Sequence, residues 1–176
     1  MTLHAAVSEA VDRGVSVETS VEDLRKLAAE FDVEIDESWS AGQIVLELFE
    51  KLVEHTLIAP TFVRDYPVET RPLTRAHRDD PRLAESWDLI VFGTELATGY
   101  SELVDPVEQR ERLHAQSLLA AAGDLEAMQL DEDFLRAMEY GMPPTGGIGL
   151  GIDRLLMALT GLGIRETILY PLVRSE

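Results

Sequence analysis

Gly147, Gly149 and Gly151 fall on alternate residues, separated by Ile148 and Leu150. In an extended strand, alternate side chains share a face. This stretch therefore predicts a strand with one face of bare backbone and one apolar face. Glycine packs nothing, so the bare face weakens the strand. The loss is offset where a flat ligand or another backbone lies close against it. Asp153 follows as the expected N-cap of an apolar helix carrying Leu155, Leu156, Met157 and Leu159. Arg154 then falls in the first turn, beside the bare strand, where a guanidinium can offer a planar fork of donors to a phosphate. Two other phosphate motifs are excluded. A dinucleotide fingerprint needs glycine where Ile152 stands, and a P-loop needs Lys-Ser/Thr where Ile152-Asp153 stand. Without chemistry, the same residues read as a tight strand beneath a core helix, with Arg154 in water.

Three acids form a second constellation. Asp88 interrupts the apolar run Trp87–Phe92, Glu95 follows the turn signal Gly93-Thr94, and Glu102 sits on the return strand. A buried carboxylate is costly unless paired or metal-bound. Carboxylates without a cysteine or histidine cluster suit a hard cation such as magnesium carrying nucleotide phosphates. The plainer reading is a half-exposed hairpin whose acids face water. Glu95 is out of step with Thr98, Tyr100 and Glu102. Either a bulge near Gly99 brings it into register, or the acids serve different faces.

The elements that must hold these residues are legible from periodicity and punctuation. Apolar residues at helical spacing predict helices over 3–13, 20–31 and 41–55, and the clearest stripe is Ile44, Val45, Leu48, Phe49, Leu52 and Val53. Strands are predicted at Thr61–Asp65, Trp87–Phe92, Glu95–Leu103 and Gly146–Ile152, with a Pro- and charge-rich loop from Arg71 to Arg82. Asp105-Pro106 opens a further helix to about Ala122, and another spans Asp131 to Tyr140. The expected fold is α+β, an antiparallel sheet flanked by helices. The helices before Pro60 are expected to pack beside the sheet and give no ligand contact. His4 and His55 are isolated, and His77 and Arg78 lie in the loop, so none of these forms a metal cluster.

Composition narrows the class. The chain has 176 residues, 45% of them hydrophobic, and no cysteine, which excludes disulfides and thiolate sites. A cytoplasmic setting fits. No apolar run is long enough to cross a membrane, and no signal peptide opens the chain. The net charge of −18 argues against a main RNA-gripping surface, which is normally basic.

The stretch Gly141–Gly161, with its lead-in Met142-Pro143-Pro144-Thr145 and exit Ile164-Arg165-Glu166-Thr167-Ile168-Leu169-Tyr170-Pro171, resembles motif 3 of class II aminoacyl-tRNA synthetases, the lysyl subgroup in particular. Trp87–Gln109 is similar to the hairpin that precedes motif 3 there. The resemblance implies that Asp88 and Glu95 bind magnesium with ATP, and that Arg154 meets the ATP phosphates. It implies that Glu102 pairs with the lysine ammonium and that Tyr100 packs along the lysine stem, with Thr98, Gly149 and Gly151 completing the amino-acid site. Thr98 and Val104 stand where asparagine is common, and Asp88 where glutamate is frequent. These departures resemble the branch that includes fusions making lysyl-phosphatidylglycerol.

The implied reaction is lysine plus ATP giving lysyl-adenylate and pyrophosphate, then transfer to tRNA, by a homodimer in the full-length setting. The likeness is strong from Pro60 to Arg174 and looser before. Motif 1, motif 2 and an anticodon-binding barrel are not found. The expectation is a partial single domain: a helical lead-in over 1–59 and the C-terminal part of a catalytic core over 60–176. With those motifs missing, one wall of the site should be open and apolar surface exposed. Two alternatives stay open: a non-catalytic lysine- or nucleotide-binding module, and a lysylating paralogue serving a protein or lipid pathway.

Overall fold

The computed structural model describes residues 1–121 and 127–170. Three helices come first: α1 (Leu3–Val11), α2 (Val21–Glu30) and α3 (Ala41–Leu52). Each starts where a hydroxyl satisfies an orphan backbone N–H. Thr2 accepts from Ala5, Ser20 from Asp23, and Ser40 from Gln43 in a reciprocal capping box. Their apolar stripes meet in one core built on Leu3, Val7, Leu24, Ile44, Leu48 and Phe49.

The sheet follows in the order β1 (Thr61–Arg64), β2 (Ser86–Val91), β3 (Thr94–Ser101), β4 (Gly146–Leu150), and every neighbouring pair is antiparallel. The α+β expectation and all four strands hold. Val63 and Ile90 are buried in the helical core, so α1–α3 cover the β1–β2 half of one sheet face. The β2–β3 turn has Phe92 at φ 54° and Gly93 at φ 72°, the paired positive values of a type I′ hairpin. It docks on the segment after α3: Phe92 N–H donates to Ile58 O at 3.0 Å and Gly93 N–H to Leu57 O at 3.0 Å. A side chain at position 93 would put its Cβ 2.8 Å from His55 O.

Between β3 and β4 come α4 (Pro106–Ala121) and α5 (Glu132–Glu139), and α6 (Ile152–Thr160) and α7 (Ile164–Thr167) follow β4. Asp105 Oδ1 accepts from Val107 N–H at 2.8 Å, as the Asp-Pro signal implies. The start of α6 corrects the expected cap. Gly151, not Asp153, is the N-cap. Gly151 N–H closes the strand on Leu96 O at 3.0 Å while its carbonyl already accepts from Leu155 N–H at 2.8 Å. The chain passes from ladder to helix through Gly151 alone. Asp153 sits in the first turn, where its charge faces the positive end of the helix dipole. Much apolar surface is exposed here, with Ile148 at 71% and Leu159 at 74% relative exposure. Among the described residues, no helix is long and apolar enough to cross a membrane.

Candidate functional site

Cross-strand partners share a face of the sheet. Asp88 is opposite Thr98, Thr98 opposite Gly149, and Tyr100 opposite Gly147. The register shifts between Leu89 and Ile90: Leu89 pairs with Ala97, but Ile90 pairs with Glu95, so Leu96 is the extra residue. This bulge resolves the parity problem and corrects its position, which is Leu96 rather than Gly99. Without it, Glu95 would share a face with Ala97 and Leu89. With it, Asp88, Glu95, Thr98, Tyr100, Gly147 and Gly149 line one face. Gly99 has a different reason to lack a side chain. It lies on the opposite face, and a Cβ there would be 2.2 Å from Trp87 Cζ2.

The bare face is not open backbone. A Cβ on Gly147 would lie 2.3 Å from Glu102 Oε1 and 3.1 Å from Tyr100 Cε2. On Gly149 it would meet Thr98 Cγ2 at 3.4 Å, and on Gly151 the Arg154 Cβ at 3.4 Å. Each glycine is thus the floor beneath one candidate site residue. The spacing expected to admit a flat ligand admits the chain's own functional side chains.

Glu102 is half-buried, and among the described residues its carboxylate has no hydrogen-bond or ion-pair partner. Burial alone pushes its carboxyl above the ordinary glutamate value. Glu95 is also pushed up, first by burial and then by Asp88, against the pull of Arg154 and Arg71. Arg154 Nη1 donates to Glu95 O at 2.8 Å and stands 3.8 Å from Glu95 Oε1. Glu95 N–H donates to Glu54 Oε1 at 3.2 Å. The lead-in therefore helps to fix a candidate site residue from beside the sheet.

Asp88 is almost fully buried and accepts a hydrogen bond from Arg71 Nη2. The Arg71 guanidinium lies over the Tyr66 ring, 4.1 Å from its centroid, a cation–π contact. Burial, with Asp88 next to it, holds the Tyr66 phenol protonated. Asp88 Oδ1 and Thr98 Oγ1 are buried without partners. Arg71, Tyr66 and Glu54 carried no functional signal in the sequence. The one available clue was that a carboxylate inside an apolar strand needs a counter-charge. A cleft of about 590 Å³ lined by Phe62, Arg64, Trp87 and Arg78 includes none of Asp88, Glu95 and Glu102.

The sequence profile of the family described as tRNA synthetases class II (D, K and N) matches residues 1–174. The chain belongs to this class II synthetase family. It is 58% identical over 175 residues to the lysylphosphatidylglycerol biosynthesis bifunctional protein LysX of Mycobacterium avium (strain 104), covering 99% of this chain and 15% of that protein. A protein of the same name from Mycolicibacterium gilvum (strain PYR-GCK) is 55% identical over 175 residues, 99% of this chain and 16% of that protein. That of Gordonia bronchialis is 54% identical over 173 residues, 98% of this chain and 15% of that protein. The chain thus spans about a sixth of the length of the curated relatives it matches.

Class II synthetases generally use ATP and magnesium. Asp88 and Glu95 share a face, but they do not fit a magnesium ion held jointly between them. Arg71 engages one Asp88 oxygen, so a positive charge of the protein's own already stands at that carboxylate and only Oδ1 is left to a metal.

Proposed function

We propose that this synthetase domain recognises and activates lysine with ATP, and that the activated lysine serves lysylphosphatidylglycerol synthesis rather than bulk charging of tRNA. The observation that carries the lysine reading is the unpartnered, half-buried Glu102 carboxylate above Gly147. A partly desolvated carboxylate strongly favours a cationic partner. A site built to pair that partner rejects analogues that leave it unpaired. The Tyr100 ring beside it offers an apolar wall for an aliphatic stem.

In this reading, the lysine ammonium pairs with Glu102. The lysine carboxylate attacks the α-phosphorus of ATP, the bond to the bridging oxygen breaks, and pyrophosphate leaves with its electrons. Arg154 faces the phosphates and neutralises charge that builds on them. The domain acts by positioning and fixed charge, without a covalent nucleophile.

Ligation to tRNA in bulk protein synthesis is the first expectation from motif 3. The names of the similar proteins favour the lipid alternative, and the net charge of −18 argues against a main RNA-gripping surface on this chain. Deleting the encoding gene and analysing both lipids and tRNA separates the two. Loss of lysylphosphatidylglycerol with tRNA charging intact supports the lipid role. Unchanged lipid with a fall in lysine-charged tRNA would sink it. Calorimetry with ATP and with lysine, followed by pyrophosphate exchange, separates both from a non-catalytic binding module.

A further inference from the structure

The buried ion pair at the centre of the acid face is more constrained than a surface salt bridge. Asp88 retains 5% of its side-chain exposure and Arg71 25%. The Arg71 guanidinium is fixed from two sides, by the carboxylate and by the Tyr66 ring. Its backbone is fixed as well. Arg71 N–H donates to Val68 O at 3.1 Å. From α4, Gln109 Nε2 donates to Pro72 O at 3.0 Å, and Arg112 Nη1 donates to Thr74 O at 2.6 Å. Gln109 is itself 1% exposed. A loop rich in proline and charge is thus held so that one guanidinium meets one buried carboxylate.

We propose that Arg71 is a built-in cation that takes the place of a divalent metal at Asp88. Asp88 then serves as the seat for Arg71, not as a metal ligand. The guanidinium supplies the positive charge beside Glu95 that a bound ion would otherwise bring. A guanidinium cannot lose its proton in a protein and needs no shell of water, so this charge is permanent and independent of metal supply. A metal at Asp88 could reach only Oδ1, which has no partner, and would sit beside the fixed positive charge held on Oδ2, which disfavours a second cation there. The inference rests on the proposed function only for what the charge faces, namely nucleotide phosphate. Its test uses neither nucleotide nor lysine, so its failure leaves the lysine reading standing.

The test is Mn2+ binding, followed by the electron paramagnetic resonance of the free ion, for the wild type, Asp88→Asn, Arg71→Gln and the double variant. Asp88→Asn should leave Mn2+ affinity unchanged, including the case where neither protein binds it. Arg71→Gln should tighten Mn2+ binding by about tenfold or more, the scale on which ligand-environment changes act on metal sites. The double variant should lose that gain. A wild-type site weakened about tenfold by Asp88→Asn, or no gain in a folded Arg71→Gln protein, overturns the proposal. A wild-type readout covers variants that fail to fold. The NMR shift of Arg71 Nε–H should not move on Mg2+ titration, and a saturable shift would show the metal displacing Arg71 from Asp88.

Discussion

The Glu102 carboxylate lies over Gly147 so closely that a β-carbon on the glycine would come within 2.3 Å of Glu102 Oε1. The pairing joins two features that the sequence presents 45 positions apart (102 and 147): a glycine on alternating spacing and an acid on the return strand of a hairpin. The glycine is bare because the acid occupies its place.

Gly147→Ala should therefore impair lysine binding without unfolding the chain. The atom in the way is the far end of a flexible side chain, and the next nearest is Tyr100 Cε2 at 3.1 Å. Glu102 must swing aside, and a charge-assisted contact of about 1.5–3 kcal/mol is lost or bent. Isothermal titration with lysine should show a fall of about tenfold or more, on the scale where about 1.4 kcal/mol is one decade. Unchanged lysine affinity in a folded Gly147→Ala protein contradicts the assignment of this pair.

Glu102→Gln should reveal the conflict between function and stability. The Glu102 carboxyl is raised above 4.5 by burial, so the folded state holds its proton to higher pH than the unfolded chain. Between the two values the folded state binds more protons, and stability falls as pH rises. The unpaired charge then weighs on the fold at neutral pH and not in acid. Thermal unfolding should place Glu102→Gln at or above the wild type near pH 7, with the gap closing below 4.5. In the same range the wild type should lose lysine affinity on acidification, and the variant should show no such step. A Glu102→Gln protein less stable than wild type at neutral pH would mean that the carboxylate has a structural partner.

Arg154→Ala should weaken ATP binding and leave lysine binding in place. Its Nη1 donates to Glu95 O at 2.8 Å, and the side chain remains 45% exposed, so the guanidinium is held while donors stay free for phosphate. Loss of a charge-assisted contact is worth about 1.5–3 kcal/mol. Equal ATP affinity before and after the change removes this arginine from the phosphate site.

Gly99→Ala tests the opposite face. Trp87 Cζ2 stands 2.2 Å from where the Cβ would go, and Trp87 is itself packed edge-on against Phe62 at 5.0 Å between ring centroids. The ring must leave its place, an overpacking cost of about 1–3 kcal/mol. Urea unfolding followed by tryptophan fluorescence should show a lower midpoint and an altered native spectrum. A native-like spectrum with no loss of stability would show that the ring is free to move.

The fold was legible where local rules dominate. Alternating glycines marked β4 and an apolar run marked β2, Ser20, Asp105 and Asp131 marked helix starts, and Gly93 marked the hairpin. The site was legible only in part. The five residues Asp88, Glu95, Thr98, Tyr100 and Glu102 were visible as types, but the sharing of one face depends on the Leu96 bulge. Leu96 is an ordinary apolar residue that carries no bulge signal. Asp153 misled because good capping chemistry stood two residues past Gly151, where the strand already turns into the helix. Arg71 was hidden for a different reason. Its pairing with Asp88 spans 17 positions and depends on where a proline-bounded loop folds back, which no local pattern encodes.

Glu102 on its glycine floor is the residue proposed to receive the lysine ammonium. Lysine titration of the isotopically labelled chain, followed by NMR amide shifts, tests this pairing directly and detects millimolar binding. Saturable shifts are expected at Gly147, Tyr100 and Glu102 in the wild type. These shifts should be lost in Glu102→Gln, with shifts from ATP unchanged between the two proteins. Lysine shifts that persist at those residues in Glu102→Gln, or that map elsewhere in the wild type, would contradict it.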